Sequence, residues 1–164
     1  MKKTLYFVST VWLWLVVQQF SNHWLGGSWF SMDWILITAL YFGLARGPLV
    51  GQVVGLSWGL LVDASSLGLM GVHTLLYALA GYTGGMLRRQ LDETKIWSQA
   101  IFSFGISCAY AVGYLFLDRL FSTGSGTLSW RLGAQPFVNA LVAPIIFLLM
   151  QLWSDVWGIY PVES

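Results

Sequence analysis

Six long apolar runs, separated by polar or glycine-rich segments, occupy most of the 164-residue chain. An apolar stretch of about 20 residues is long enough to cross the hydrocarbon core of a bilayer, about 30 Å thick, as a helix. The pattern therefore predicts an all-α integral membrane protein. It should form one polytopic membrane domain over residues 1–164, a compact bundle of about six transmembrane helices. The predicted spans cover residues of about 5–21, 29–45, 48–63, 68–88, 97–118 and 135–154.

The second and third apolar runs are short for membrane spans, at about 17 and 14 residues. They are separated by Arg46-Gly47-Pro48, where a charge, a flexible residue and a helix breaker coincide. We therefore expect this pair of helices to be thin, re-entrant or extended by flanking residues.

Composition narrows the classes of function. Hydrophobic residues make up 57% of the chain and charged residues 9%, whereas soluble domains average about 25% charged residues. A net charge of +1 with scattered basic residues leaves no basic patch that would bind nucleic acid. The single cysteine, Cys108, excludes a disulfide framework and a cysteine-rich metal site, and only His23 and His73 remain as histidine ligands or bases. We therefore predict neither a metal nor a cofactor.

The distribution of lysine and arginine predicts the orientation, because cytoplasmic loops carry an excess of these residues. With the N-terminus in the cytoplasm, six basic residues fall on the cytoplasmic side, and Arg119 and Arg131 fall on the opposite side. The six are Lys2, Lys3, Arg46, Arg88, Arg89 and Lys95. Both termini are thus predicted to be cytoplasmic. No small-residue cleavage site follows the first apolar run, so we interpret it as an uncleaved membrane helix rather than a signal peptide.

The strongest local pattern is a four-residue spacing of glycines in the third run. Gly47, Gly51, Gly55 and Gly59 lie in one register with Asp63, along one face of the predicted helix. Small residues let helix backbones approach closely in lipid, and this close approach drives helix association there. The face is therefore predicted to pack a helix, which is either another helix of this chain or a helix of a different protein. A lipid or ligand is the third candidate.

The fourth run continues the small-residue pattern. Its candidate packing or partner-binding residues are Gly68, Gly81 and Gly84, and Tyr82 among them is expected to be an interfacial anchor.

Three polar residues lie near predicted span ends on the side opposite the termini. Asp63 is either a solvated helix end or an acceptor of hydrogen bonds from the start of the next helix, and a contact with a partner protein fits the same position. We favour the hydrogen-bonded role, because a helix N-terminus and an anion stabilise each other. His73 and Asn139 are expected to hydrogen-bond between helices rather than to act in catalysis.

One enzymatic motif is present. Gly55-Leu56-Ser57-Trp58-Gly59 matches G-x-S-x-G, which surrounds the nucleophile in intramembrane serine proteases. Ser57 would need a histidine base, for which His73 is the only candidate within a predicted span. Helix packing already explains the two glycines, however, and a serine within a helix usually donates to the carbonyl four residues earlier, here that of Val53. We therefore predict a non-enzymatic protein.

The block RGPLVGQVVGLSWGLLVD, residues 46–63, resembles the MreD family of rod shape-determining membrane proteins. The family pattern is a glycine-spaced third helix running into G-L-x-x-D, a short turn with L-G, and a fourth helix with G-Y before basic residues. Here those later elements are Leu67-Gly68-Leu69, Gly81-Tyr82 and Arg88-Arg89. The resemblance covers residues of about 45–89, and the chain length and predicted topology fit the family over the remainder.

The resemblance implies a non-enzymatic role in the bacterial inner membrane, in the elongation machinery that directs side-wall peptidoglycan synthesis. It implies association with MreC, a protein with one membrane helix, and through MreC indirect links to MreB filaments, RodA and a class B penicillin-binding protein. It also implies a helix arrangement resembling that of the substrate-binding components of energy-coupling-factor transporters. We therefore expect the helix of an MreC-like partner to pack on a scaffold formed by the glycine-lined third and fourth helices.

The alternative function is that of a vitamin-binding component of a membrane transporter, with a pocket near Asp63, His73 and Asn139. Such components typically dock their coupling subunit through an A-x-x-x-A pattern in the first helix. Residues 6–15 of this chain contain no alanine, which argues against the transporter.

Overall fold

The computed structural model describes residues 33–65, 70–90, 95–121 and 130–156, together with Ser9 and Val16. Within these ranges the chain is helical and contains no strand, which confirms the predicted all-α fold for this part of the protein. The helices are α1 (Trp34–Arg46), α2 (Pro48–Ser65), α3 (Val72–Met86), α4 (Ile96–Phe121) and α5 (Trp130–Val156), with a 3-10 turn at Leu87–Arg89. They correspond to the second to sixth predicted spans. Of the first predicted span, only Ser9 and Val16 lie among the described residues, and both are helical.

Two of the described helices contain segments that are long and apolar enough to cross a membrane, Ile96–Phe121 and Leu132–Trp153. Helix α1 is a shorter apolar helix of 13 residues, about 20 Å at 1.5 Å per residue. Helix α2 has 18 residues and α3 has 15. The middle of the chain therefore consists of helices shorter than a typical span, and the count of six spans stays a prediction.

A tight turn separates α1 from α2. The amide of Gly47 donates to the carbonyl of Gly43 at 2.8 Å, and Pro48 then begins α2. Gly47 has φ +98°, in the left-handed region that glycine adopts without steric cost. A Cβ atom on Gly47 would meet nothing within 4 Å. The structure thus places Gly47 in the turn, whereas the sequence pattern had put it on the helical glycine face.

Helix α1 is the central helix of the described bundle. All ten residues from Ile35 to Leu44 are buried. The helix contacts α2, α3, α4 and α5. A helix that is apolar all around its circumference belongs in an interior, and α1 follows that rule.

The glycine face of α2 packs against the backbone of α3. A Cβ atom on Gly51, Gly55 or Gly59 would clash with main-chain atoms of Gly81, Tyr77 or Thr74, respectively. The contact is reciprocal, because a Cβ atom on Gly81 would clash with the carbonyl group of Gly51. In the described part of the chain, the helix that occupies the α2 glycine face therefore belongs to the same molecule.

Glycines also bring α1 into this junction. A Cβ atom on Gly43 would clash with the Gly81 carbonyl oxygen and would lie 2.9 Å from the Gly85 amide nitrogen. A Cβ atom on Gly84 would lie 3.2 Å from the carbonyl oxygen of Leu40. Three helices thus meet at backbone-to-backbone distance.

Helices α4 and α5 form a second unit that packs pairwise. Phe104 and Phe137 meet edge to face with ring centroids 5.0 Å apart. Contact between α3 and α4 is sparser, and an apolar groove lies between them. Ala80 and Thr83 of α3 and Ile106 and Ala109 of α4 are among its lining residues.

Apolar side chains also cover the outer surface of the bundle. Exposed examples on four helices are Leu49, Val53, Leu60, Leu75, Leu79, Ile101, Val112, Phe116, Phe137, Leu141 and Ile145. Monomeric soluble proteins rarely expose continuous apolar surface on this scale. The outer faces are therefore suited to lipid or to other helices.

We predict that Gly55→Ala destabilises the bundle. The added methyl group clashes with the Tyr77 carbonyl group. This group belongs to the α3 backbone, so no change of side-chain rotamer relieves the clash. Overpacking of this kind costs about 1–3 kcal/mol. The measurement is thermal unfolding of the purified protein in detergent. Gly105→Ala is the matched control, because a Cβ atom there meets nothing within 4 Å. Equal midpoints for the two variants would contradict the α2–α3 contact.

Candidate functional site

A group of buried polar side chains joins four helices near the end where α1 and α3 begin. We call it the Asp33 cluster, and it consists of Asp33 before α1, Tyr77 of α3, Ser107 of α4, and Gln135 and Asn139 of α5. Four of these residues are buried, and Gln135 is half-buried.

Asp33 is the centre of this cluster. Its carboxylate accepts hydrogen bonds from the Leu36 amide at 3.0 Å, the Tyr77 hydroxyl at 2.8 Å and the Gln135 side-chain amide at 3.3 Å. The Asp33 amide donates to Asn139 Oδ1 at 3.1 Å, and Asn139 Nδ2 donates to Ser107 Oγ at 3.0 Å. The bond from the Leu36 amide caps the N-terminus of α1. The bonds with Tyr77, Gln135 and Asn139 tie the start of α1 to α3 and α5, and the bond from Asn139 to Ser107 ties α5 to α4.

Asp63 makes a second buried centre at the same end of the bundle. It lies in the last turn of α2 and is 3% exposed. Its carboxylate accepts hydrogen bonds from the amides of Gly71, His73 and Thr74 at 3.0, 3.2 and 2.9 Å, and from the Thr74 hydroxyl at 2.6 Å. These are the bonds from the start of the next helix that the sequence predicted for Asp63. They satisfy amides that the first turn of a helix leaves without intrahelical partners.

Aromatic rings connect the two carboxylate centres. His73 Nδ1 lies 2.7 Å from the Tyr110 hydroxyl, so the two side chains share a hydrogen bond between α3 and α4. The Tyr110 ring stacks on Tyr77 with centroids 5.3 Å apart and planes 9° apart. Tyr114 stacks on His73 at 5.5 Å. The expectation that His73 and Asn139 hydrogen-bond between helices is confirmed by their contacts with Tyr110 and Ser107.

The polar groups of this region hydrogen-bond to one another. The three donors to the Asp33 carboxylate are neutral groups, and each belongs to a different helix. In an apolar surrounding an unpaired polar group costs several kcal/mol, so a connected set of bonds holds its helices in one arrangement. The geometry therefore favours positioning of helices over reaction with a substrate.

In the described part of the chain, Ser57 of the G-x-S-x-G motif and His73 hydrogen-bond to other groups and not to each other. The Ser57 hydroxyl donates to the Val53 carbonyl at 2.8 Å, as the sequence predicted. The His73 ring shares a hydrogen bond with the Tyr110 hydroxyl.

The structure brings some predicted site residues together and separates others. Gly51, Gly55, Gly59, Gly81 and Gly84 lie at the contacts among α1, α2 and α3.

Tyr82 is exposed on the outer side of α3. Arg46, at the end of α1, and Arg89, in the 3-10 turn after α3, are also exposed, whereas Arg88 is half-buried. Gly68 lies outside the described residues.

Sequence reasoning missed Asp33 and the tyrosines Tyr77 and Tyr110. A usable signal was present for Asp33, because the predicted span 29–45 contained this carboxylate, and an ionisable residue within a span indicates a functional or structural site by default. No such signal marks the tyrosines, whose burial depends on how α3 faces α4.

Among the described residues, no group of three or more histidine, cysteine, aspartate or glutamate side chains could hold a metal ion. The two buried carboxylates are instead occupied by donors of the protein itself.

Comparison with known proteins gives one family. The family model described as rod shape-determining protein MreD matches residues 1–153, nearly the whole chain. No curated protein and no solved structure matches the chain.

We predict that Tyr77→Phe lowers the free energy of unfolding by about 1–3 kcal/mol, because the buried Asp33 carboxylate loses a donor and gains none. Thermal or denaturant unfolding in detergent measures the change. Tyr82→Phe removes the same hydroxyl from the exposed face of α3 and should leave stability unchanged. Loss of stability in both variants, or in neither, would refute the role assigned to the Asp33 cluster.

Asp63→Ala should cost about 2 kcal/mol, because four hydrogen bonds to the first turn of α3 are lost together. The same unfolding assay applies, and hydrogen exchange should show faster exchange at the amides of residues 71–74. Asp118→Ala, near the end of α4, provides the control. Unchanged exchange at residues 71–74 would show that Asp63 does not cap the helix.

Proposed function

This chain belongs to the MreD family of rod shape-determining proteins, and we propose that it is a non-enzymatic membrane scaffold of the bacterial cell-elongation machinery. In this role it binds an MreC-like partner and helps to maintain rod shape and side-wall peptidoglycan synthesis. The family match carries the proposal, because it covers residues 1–153.

The hydrogen bonds made by the buried polar groups support a scaffold function. The described carboxylates that lie inside the bundle accept hydrogen bonds from neighbouring helices, and the Ser57 and His73 side chains bond to Val53 and Tyr110. At the same time the outer faces of α2 to α5 present apolar side chains. A molecule whose interior polar groups are hydrogen-bonded to one another and whose exterior is apolar is suited to binding lipid and other helices.

The packing changes where a partner helix would bind. From the sequence alone, the glycine-lined third and fourth predicted helices were expected to receive it. These are α2 and α3, and their glycines face each other or α1. We therefore place the contact with the single helix of an MreC-like protein on the exposed apolar faces. Through that partner the chain would be linked to MreB filaments, RodA and a class B penicillin-binding protein.

We propose that the chain lies in the bacterial inner membrane as a multi-pass protein with both termini in the cytoplasm. The ends of the described helices support this orientation. Arg46, Arg88, Arg89 and Lys95 share one end of the bundle, and an excess of basic residues is typical of the cytoplasmic side.

The first test is depletion of this protein in its bacterial host. We expect rod-shaped cells to become round in rich medium, and the tagged protein to co-purify with a single-span MreC-like protein. Cell shape by microscopy and mass spectrometry of the purified complex are the measurements.

Supplementation with vitamins separates the alternative function. Depleted cells that stay rod-shaped but grow only with an excess of one vitamin would overturn the scaffold and favour a transporter component. Rounded cells that vitamins do not rescue support the scaffold.

A further inference from the structure

A buried hydroxyl group of α4 has no hydrogen-bond partner among the residues that the structure describes. Ser103 is 0% exposed, and its Oγ atom bonds to no other described group. The residue lies within Ile96–Phe121, a helix long and apolar enough to cross a membrane, where bulk water does not reach its side chain. An unpaired hydroxyl group in such surroundings destabilises the fold. Ser103 therefore requires a polar partner.

The bond that a helical serine usually makes within its own helix is not formed at Ser103. In this protein the hydroxyl groups of Thr38, Ser57 and Thr83 each donate to the carbonyl group four residues earlier, at 2.7, 2.8 and 2.9 Å. Such a bond satisfies a hydroxyl group locally. The Ser103 hydroxyl makes no bond of this kind with the carbonyl group of Gln99. Its orientation leaves it available to a group that lies between the helices.

Ser107 and Asn139 bring further hydrogen-bonding capacity next to this hydroxyl group. Ser107 follows Ser103 by four residues, so the two side chains lie on one face of α4 with Cβ atoms about 5–6 Å apart. Asn139 Nδ2 of α5 donates to Ser107 Oγ at 3.0 Å. A serine hydroxyl can also donate, and an amide nitrogen carries two hydrogens. Neither the Ser107 hydroxyl hydrogen nor the second Nδ2 hydrogen has an acceptor among the described contacts.

The distances suit one water molecule. Two hydrogen bonds of about 2.8 Å that meet at one oxygen atom span about 4.5–5.6 Å, close to the separation of side chains four residues apart on a helix. A buried water molecule typically makes about three hydrogen bonds to polar groups that otherwise have no partner. Ser103, Ser107 and Asn139 supply three such groups, and each is at most 1% exposed.

We propose that a water molecule is bound between α4 and α5, where it bridges the hydroxyl groups of Ser103 and Ser107. It donates to Ser103 Oγ and accepts from the Ser107 hydroxyl, with the second Nδ2 hydrogen of Asn139 as a further donor. Because Asn139 also accepts from the Asp33 amide, the water extends the Asp33 cluster by one turn along α4.

The surroundings favour water over a cation or a larger polar ligand. Cations such as Ca²⁺ take six to eight oxygen ligands and prefer carboxylates. The three partners of this site are neutral, and the Asp33 carboxylate already accepts three hydrogen bonds. Ala143, one turn beyond Asn139 on α5, is also 0% exposed, so the site is enclosed on the side of that helix.

The first test is the sign of the effect of Ser103→Ala on the thermal midpoint of the full chain in detergent. Removal of an unpaired hydroxyl group would raise the midpoint, and removal of one bonded within its own helix would leave it unchanged. Removal of a hydroxyl group that holds a water breaks a connected set of bonds. We therefore expect the midpoint to fall by about 2–4 °C.

Ser57→Ala is the matched control, because it removes the same group from a serine that bonds to its own helix. It should leave the midpoint unchanged. A midpoint of Ser103→Ala equal to or above that of Ser57→Ala would overturn the proposal.

The double variant Ser103→Ala/Ser107→Ala tests whether the two hydroxyl groups share one water. Residues that contact a common partner show coupled effects, whereas independent residues show additive ones. We expect the double variant to lower the midpoint by less than the sum of the two single shifts. Additive shifts would contradict a bridging water.

Contact with water is measured directly by magnetisation transfer from water in solid-state NMR of the full chain in lipid bilayers. We expect transfer to the amides of Ser103 and Ser107, and loss of the transfer at Ser107 in Ser103→Ala. Leu40 of α1 is the reference, since it is equally buried at 0% exposure and is apolar. Transfer at Ser103 no greater than at Leu40 would refute the water site, and this measurement decides the matter even if Ser103→Ala does not fold.

Discussion

The described structure depends on the direct contact of helix backbones through glycine. Within a bilayer, apolar side chains gain little by leaving lipid for another helix, so association must come from close packing and hydrogen bonds. At the junction of α1, α2 and α3, the glycines remove the side chains that would hold the axes apart. The close approach of α1 to α3 and of the end of α3 to the turn at Gly47 both depend on this contact.

Close packing by glycine leaves the polar groups as the second source of specificity. Asp33 and Asp63 sit at the same end of the bundle, and each accepts bonds from more than one backbone or side-chain donor. A carboxylate with several donors at fixed positions adds a second constraint on the register of the helices. The stacked rings of Tyr77 and Tyr110 extend that register from α3 to α4, where Gly113 lies against the Leu76 side chain rather than against helix backbone.

The sequence predicted those features that depend on local pattern. The helical class and the role of Asp63 at the start of α3 were visible in the apolar runs and in the glycine register. The sequence left three candidates for the occupant of the glycine face: a helix of this chain, a helix of another protein, or a lipid or ligand. Residue spacing identifies a face of a helix but does not identify what packs against it. Asp33, Tyr77 and Gln135 are separated by 44 to 102 residues, and no pattern in one segment records a bond to another. Gly47 has the same four-residue spacing as the glycines of α2, and the sequence pattern therefore placed it on their face. It lies in the turn instead, because α2 begins only at Pro48.

The Asp63 bonds have a consequence for the order in which the protein assembles. They join residues that are 8 to 11 positions apart, and the glycine contacts between α2 and α3 join residues that are 15 to 30 positions apart. Contacts between near neighbours in the chain form quickly, because little loop entropy is lost on closing them. Helices α2 and α3 are therefore suited to pairing early, as a helical hairpin that can form before α4 and α5 have been synthesised.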